Sequence, residues 1–443
     1  MESFSMTAGL LTRRLAVLAS LAAGLVLAAC GGNDDPKDKK ANANQASLRA
    51  INLSADVPSV DVYTGDTKRF STLSSDTMSA SATLEPASYT LAVKTAGQTA
   101  TLFSESFTPA KGSAHTAVIA GRESGLLVRT IGESEDTAGI QAGTFRLRVL
   151  NLITDTATVD VYLVPTAAAV GGTPTMRFTG NTLSDFVSFP SATAHRVLVT
   201  AQGNANDIRL DIPLSGTADK QFHTLVLAST ANGALVNASL IPQGGTAVAL
   251  KNTRARVRLV AGGDANANVS ASVAGTSIGG GLRSPHVGPY RLVEAGDRPL
   301  TVSVDGAVVA TSTRTFAAGA DYTVLAFGGS GARRVEVLPD DNRAPAAASH
   351  AKIRLVNAVD GSQPMSLRVD FQSLVTDVAP GTTSAYALVT GATSARLEVT
   401  TGAGVLFTDN SGGSQPLLLA QGVYTLFMLG GDPTPKGKMS KDR

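Results

Sequence analysis

The 443-residue sequence has one cysteine, no tryptophan and only 5% aromatic residues. A single thiol closes no intramolecular disulfide and builds no thiolate-rich zinc site. Charge is scarce too: 16% of residues, with 37 Lys and Arg against 35 Asp and Glu, a formal net charge of +2. That balance lacks the strongly basic face of an electrostatic nucleic-acid binder. Aromatics this sparse supply no stacked sugar platform and no single-strand nucleic-acid groove, with Tyr63 and Tyr162 the exceptions. The charge-free apolar run from Leu15 to Ala29 is too short to span a bilayer comfortably as a helix, which takes about 20 residues. What the chain does have is 43% hydrophobic residues and 44 glycines. That composition argues against global disorder. Its length alone suggests about three domains.

The first thirty residues assign a location. Arg13 and Arg14 precede the apolar run, and small residues close it. A positive start, a short apolar stretch and a small-residue exit make a secretory signal peptide over residues 1–29. The residues after the arginine pair do not complete a twin-arginine motif, which leaves ordinary Sec export. The exit, Leu27-Ala28-Ala29-Cys30-Gly31, resembles the bacterial lipobox. The resemblance implies a diacylglyceryl group on Cys30, cleavage before it and acylation (palmitate being typical) of the new amino terminus. Each buried methylene contributes ~0.8 kcal/mol, so two or three chains anchor stably. The competing reading, a buried thiol at the end of a transmembrane helix, is disfavoured by the polar run Gly31-Gly32-Asn33-Asp34-Asp35 that follows directly. Gly31 stands where an Asp would be associated with inner-membrane retention, so the resemblance to Gram-negative lipoproteins favours the outer membrane. Residues 1–29 carry Arg13 and Arg14 against Glu2, so the processed chain keeps a net charge of about +1. Residues 30–46 then read as the lipidated cysteine and a flexible tether of roughly 20 Å.

The rest is a repeat. LRAINLSADVPSVDVY at 48–63 matches LRVLNLITDTATVDVY at 147–162 at Leu48/Leu147, Arg49/Arg148, Asn52/Asn151, Leu53/Leu152, Asp56/Asp155 and the Val-Asp-Val-Tyr block. Worn copies open at Val257-Arg258-Leu259-Val260 and Ile353-Arg354-Leu355-Val356-Asn357. Their loop aspartates are Asp264 and Asp360, and Ala271-Ser272-Val273 and Leu367-Arg368-Val369 stand in place of Val-Asp-Val. Four units of about 100 residues therefore replace three domains. Short Val-, Thr- and Tyr-rich runs alternate apolar with polar positions between Gly, Pro, Asn and Asp clusters, which reads as strands and turns. In the first unit the strands fall near 47–53, 59–63, 68–73, 79–84, 88–95, 99–107, 115–120 and 125–131. That count and spacing predict an all-β fold of tandem immunoglobulin-like antiparallel β-sandwiches after the signal peptide, without the Cys…Trp…Cys hallmark of antibody domains. The units are placed at 47–137, 144–243, 254–339 and 351–430, with the clearest break from Leu338 to Ala351. Residues 431–443 read as a disordered tail.

The Arg-x-Leu/Ile-Asn-Leu opening, the Asp-containing turn and the Val-Asp-Val-Tyr block resemble the DUF4397 domain. The resemblance is closest over 47–131 and 144–242 and weaker in units three and four. It implies a secreted or surface protein and brings no catalytic residues, because the family has no established activity.

Candidate chemistry was weighed residue by residue. Of the five histidines, His115 and His223 fall where units three and four have Tyr322 and Tyr424, which suits half-exposed strand positions better than metal ligands. No pair of histidines has metal-ligand spacing. Asp56, Asp155, Asp264 and Asp360 offer one carboxylate per loop, with Asp61 or Asp160 alongside, too few for the six to eight oxygens that Ca²⁺ takes. They read as turn formers bonding their own backbone. Asp340-Asp341 reads as a solvated linker pair. No nucleophile elbow has the right context, and the Gly-rich stretches at 279–281 and 328–329 lack a following helix. No metal site and no cofactor is expected. Tyr63 and Tyr162 end the outward face of matching strands, where they cap the sandwich edge or, with Asp56 and Asp155, line a contact patch. The expectation is a non-enzymatic, lipid-anchored envelope protein with a structural or interaction role. It meets the membrane through its anchor, binds no nucleic acid, and has an envelope protein or glycan as partner. The alternative is a ligand-binding, glycan-binding surface lipoprotein.

Overall fold

Residues 44–133, 135–154, 158–168, 172–391, 394–409, 417–430 and 435–443 are described in a computed structural model. In the first unit the alternating runs become β1 (Ala46–Asn52), β2 (Ser59–Thr64), β3 (Thr67–Ser74), β4 (Ala82–Leu84), β5 (Tyr89–Thr95), β6 (Thr101–Phe107), β7 (Ala114–Arg122) and β8 (Gly125–Gly132). They form two four-stranded sheets, ordered β4-β1-β7-β8 and β3-β2-β5-β6. Leu48 and Ala50 of β1, Val60 and Val62 of β2, Leu91 and Val93 of β5 and Ala117 and Ile119 of β7 meet between them in one core. The described residues build four such sandwiches, so the chain is all-β with tandem β-sandwiches. Residues 41–443 pack as one compact body.

One pairing departs from the antiparallel expectation in every unit. β1 runs parallel to β7, with Leu48 opposite His115 and Asn52 opposite Ile119. Thr144–Leu152 pairs with Phe222–Ser229, Arg254–Gly263 with Asp321–Gly328, and His350–Ala358 with Val423–Leu429 in the same sense. Parallel pairs belong to sheets covered on both faces, and these sheets are. The first two sandwiches pack back to back: Ile51, Leu53, Val118, Ala120 and Ile131 of one meet Leu150, Leu152, Val226, Ala228 and Ile241 of the other. The third and fourth repeat the arrangement through Val260, Leu325, Phe327 and Leu338 against Val356, Ala358, Phe427 and Leu429. Burying one such side chain stabilises by roughly 1.5–3 kcal/mol, so a single repeat is a half-covered structure. Adjacent residues of the opening motif thus face two different cores. Leu48 and Ala50 face their own sandwich, and Ile51 and Leu53 face its neighbour.

Three sequence expectations are corrected. The disordered tail after Gly430 contains a strand, Lys436–Lys441, paired with Val423–Leu429. It is the fourth unit's equivalent of β8. Met439 packs against the fourth core and Asp442 is buried, contacts that its lysines concealed. The supposed break from Leu338 begins inside the strand Arg334–Asp340. The worn motifs also align two residues earlier than the sequence suggests. Val62 opposes Val93, Val161 opposes Val199, Ala271 opposes Val302 and Leu367 opposes Val399. The equivalents of Asp61 and Asp160 are therefore Ser270 and Ser366.

Candidate functional site

The aspartate of the Val-Asp-Val-Tyr block is a frame residue. Asp61 is buried, and its carboxylate accepts from Thr72 N at 2.8 Å, Gly97 N at 3.2 Å and Lys68 Nζ at 2.7 Å. Thr72 occupies the left-handed region at φ 52°, in a bulge of β3. Asp160 takes Gly203 N at 2.8 Å and Arg177 at 2.6 Å. In the later units a serine hydroxyl does this work: Ser270 accepts from Gly281 N and Ser366 from Asp377 N, both residues again at positive φ. Burial pushes the Asp61 carboxyl up, but Lys68 and the two backbone donors carry it below its ordinary value. The hydrogen bond from Arg177 does the same for Asp160 against the opposing effect of burial.

Among the described residues, the loop aspartates do not gather with other His, Cys, Asp or Glu into a group that could hold a metal ion. Asp56 reaches across to the β7–β8 hairpin, accepting from Glu123 N at 2.8 Å and lying 3.8 Å from Arg122. That corrects the own-backbone turn reading. Asp360 pairs with Arg334 of the neighbouring unit at 2.9 Å. Asp155 and Cys30 lie outside the described residues. The local turn is held instead by the motif asparagine. Asn52 Oδ1 accepts from Ser54 N while Nδ2 donates to Val57 O and Leu73 O. Asn151 and Asn357 repeat the bond to the residue two ahead. The sequence carried this signal as a matched Asn in three units.

Tyr162 is buried, not outward, which removes it as a contact residue. Tyr63 is half-buried, with the ammonium groups of Lys94 and Lys68 4.9 and 5.5 Å from its ring centre. The aromatic pair proposed from sequence is thus not a matched pair of surfaces.

His223 and His195 pack against Phe145. His223 is buried rather than half-exposed. Its Nε2 accepts from Ala218 N at 3.3 Å, and its ring packs edge-on against Phe145, 5.6 Å between centres. Burial drives its pKa down to about 4. Phe145 also meets His195, whose pKa burial lowers. Among the described residues no group of three or more His, Cys, Asp or Glu is placed to hold a metal ion. Nor is any described helix long and apolar enough to cross a membrane.

Charge is concentrated on the motif arginine, which strand patterning does not single out. Arg49, Arg148, Arg258 and Arg354 each donate through Nε to a threonine of the adjacent parallel strand: Thr116, Thr224, Thr323 and Thr425. Each then reaches the last strand of a sandwich, usually the neighbour's. Arg49 donates to Pro242 O and Gly245 O, and also to Glu133 of its own unit at 2.6 Å. Arg148 donates to Gly132 O at 2.7 Å. Arg258 reaches Asp442 at 2.5 Å, and Arg354 bonds Asp340. Asp340, read from sequence as a solvated linker residue, is fully buried and also accepts from Thr323 at 2.7 Å and Tyr290 at 2.6 Å. Burial would raise its carboxyl, but Arg354 and Arg258 hold it below its ordinary value. Beside it Arg256 grips Asp321 with two bonds of 2.9 and 2.6 Å and meets Asp207 of the second unit at 3.4 Å. The Tyr290 ring lies 4.6 Å from both Arg256 and Arg258. A cavity of about 180 Å³ borders this centre, lined by Asn232, Tyr322, Asp341 and Arg343 among others. Its carboxylates are already matched by arginine and lysine, which suits cohesion between units two, three and four and leaves no free base.

The model of the DUF4397 family, a domain of unknown function, matches residues 46–162 and 255–359. Each match begins at a unit's first strand and takes in the first strand of its back-to-back neighbour, the first match ending within that neighbour's second strand. The third unit, where the motif is worn, is matched throughout. A search of the curated proteins finds no match. Among solved structures the chain is similar to the family CBM26 module CBMbc from Eubacterium rectale Amy13K, determined with maltoheptaose. Identity is 14% over 42% of this chain and 92% of that one, with a TM-score of 0.15. It is also similar to a putative cell adhesion protein from Bacteroides ovatus, at 10% identity over 45% of this chain and 98% of that one, with a TM-score of 0.19. Superposition this loose bears on neither ligand nor function.

Proposed function

The chain belongs to the DUF4397 family, and from that premise we propose that it is a non-enzymatic, lipid-anchored β-sandwich array of the cell envelope with a structural or interaction role. The observation that supports this reading is the use made of the repeated polar residues. The motif Arg, Asn and Asp bond backbone groups, threonines and oppositely charged side chains inside the frame. Enzymatic work needs a base, nucleophile or electrophile converging on open space, and the repeated residues converge on buried bonds instead. Back-to-back pairing favours a stiff body over a flexible string, as a spacer or display scaffold requires.

Anchoring through Cys30, with the lipidated end in the outer membrane and no nucleic-acid partner, is the expected location. Cys30→Ser should abolish labelling by a fatty-acid probe and release the chain from the membrane fraction. Labelling that persists in that variant would refute the anchor. The enzyme reading is tested with a broad hydrolase panel, where activity lost on changing His or Asp residues would overturn the non-enzymatic assignment. Glycan binding is the second reading. Its sequence basis weakens with Tyr162 buried, but one exposed aromatic ring elsewhere favours it.

A further inference from the structure

That ring is Phe371. It sits at the tip of the two-residue turn between Met365–Val369 and Gln372–Val378, and 61% of its surface is exposed. Asp370 and Phe371 both hold positive φ, 47° and 70°. Such hairpin turns favour Asn or Asp first and Gly second, because a side chain at the second position crowds the backbone. The matching turn of the third unit obeys the rule with Ala274-Gly275, at φ 47° and 82°. The fourth unit places a bulky aromatic residue where its twin has glycine, in a conformation that is an outlier for such a side chain. The ring is not recruited to a core in return, since it points to solvent.

The surroundings are polar and ordered. Arg396 stacks on Phe371, its guanidinium carbon 4.8 Å from the ring centre. Glu398 fixes that guanidinium with bonds of 3.1 and 2.6 Å to Nε and Nη2, leaving Nη1 without an acceptor among the described residues. Asp370 Oδ1 takes Arg396 N at 2.8 Å, and Arg368 braces the turn by donating to Phe371 O at 2.8 Å. A lone ring with one face covered by a braced guanidinium presents its other face to a ligand. The hydrogen-bonding groups beside the ring, Arg396 and Asp370, suit a ligand with an apolar patch edged by hydroxyls. A protein hot spot would sit within a wider apolar surface, and membrane insertion would not surround the ring with Asp370 and Glu398.

We propose that the Phe371 turn is a carbohydrate-binding tip, stacking the C–H face of a sugar ring on Phe371 while Arg396 and Asp370 engage its hydroxyls. This rests on the reading of the chain as an interaction module and names one ligand class for it. The test probes the full chain on an array of immobilised neutral and acidic oligosaccharides, alongside Phe371→Gly and Arg396→Gln. Phe371→Gly should lower binding at least ~10-fold, the loss of about one good contact, while raising the melting temperature because glycine relieves the turn. Arg396→Gln should weaken binding less. A residue present only for structure would show no such opposition. An array that captures nothing, or binding that Phe371→Gly leaves intact, overturns the proposal. So does binding to a protein or a phospholipid vesicle through Phe371 without sugar binding. If sugar binding persists through another surface, the tip fails while the module reading stands.

Discussion

The two back-to-back pairs carry the same arginine on the same strand, half-buried at Arg148 and buried at Arg49, Arg258 and Arg354, and neutralise it differently. Between units one and two, Arg148 ends on a carbonyl oxygen and a threonine, and Arg49 on carbonyls and Glu133. Between units three and four, both arginines end on fully buried aspartates. A carbonyl acceptor costs little to desolvate, whereas a buried carboxylate tolerates no missing partner. The first interface therefore relies on apolar contact with one largely buried ion pair, Arg49–Glu133, inside the first unit. The second adds a charge lock in which every member depends on the others.

The largest expected effect separates the two. Arg354→Met leaves Asp340 buried with its principal cation gone and should cost ~3–5 kcal/mol. Arg148→Met removes hydrogen bonds to neutral acceptors and should cost about 1 kcal/mol. Chemical denaturation of the full chain reads both. Similar losses from the two variants would break the comparison. A double-mutant cycle on Arg258 and Asp442 sharpens it, with a coupling of at least ~1.5 kcal/mol expected for a desolvated pair.

Acid should separate the pairs next, and the sign follows from burial. His223 titrates near 4 in the folded chain against 6.5 in the unfolded one. Its contribution is complete above about pH 6.5 and is lost as pH falls toward 4, to the extent of roughly 2 kcal/mol. The charge lock behaves otherwise. Asp340 is held below its ordinary value, and Asp341, half-buried and bonded by Arg343 and Lys352, titrates near 2. Those carboxylates keep their full contribution above about pH 4 and lose it progressively as the pH falls from there through their lowered pKa values. Units one and two should accordingly loosen first on acidification, with protection from hydrogen exchange falling in Phe222–Ser229 before Asp321–Gly328. His223→Phe should flatten the loss between pH 6.5 and 4. An unchanged slope would assign the acid response to another group.

Much of the frame was readable from residues alone because alternation reports one buried face. The strands of the first unit fall within about three residues of their expected ends, since Val60, Val62, Leu91 and Val93 alternate cleanly with polar neighbours. Pairing was not readable, because a sheet covered on both faces loses that alternation. Thr116-Ala117-Val118-Ile119-Ala120 is apolar or small throughout, and this was the available sign. The burial of Arg49 was hidden for a related reason: a charged residue on a strand gives no sign of burial until its partners are known. The candidate site was legible only in outline. Asp61 stands out in the sequence only as a second carboxylate beside the first turn, too little for calcium, and not as a bulge anchor. Phe371 was invisible, since nothing in Val369-Asp370-Phe371-Gln372 announces a positive φ at a phenylalanine.

The smallest expected effect tests whether the two chemistries at the bulge are interchangeable. Asp61 in the first unit accepts two backbone donors and an ammonium, whereas Ser366 in the fourth accepts one backbone donor. Asp61→Ser transplants the later solution into the earlier unit. The hydroxyl can still take Thr72 N, so the change should forfeit only the bond from Gly97 N and the lysine, about 1 kcal/mol. Asp61→Ala abandons both backbone donors and should cost more. Lys68→Ala should be silent in a melt, because Lys68 is exposed and Asp61 keeps its backbone partners. If Lys68→Ala cost as much as Asp61→Ser, the anchor would be the ion pair rather than the bulge, and the serines of units three and four would no longer count as its equivalents.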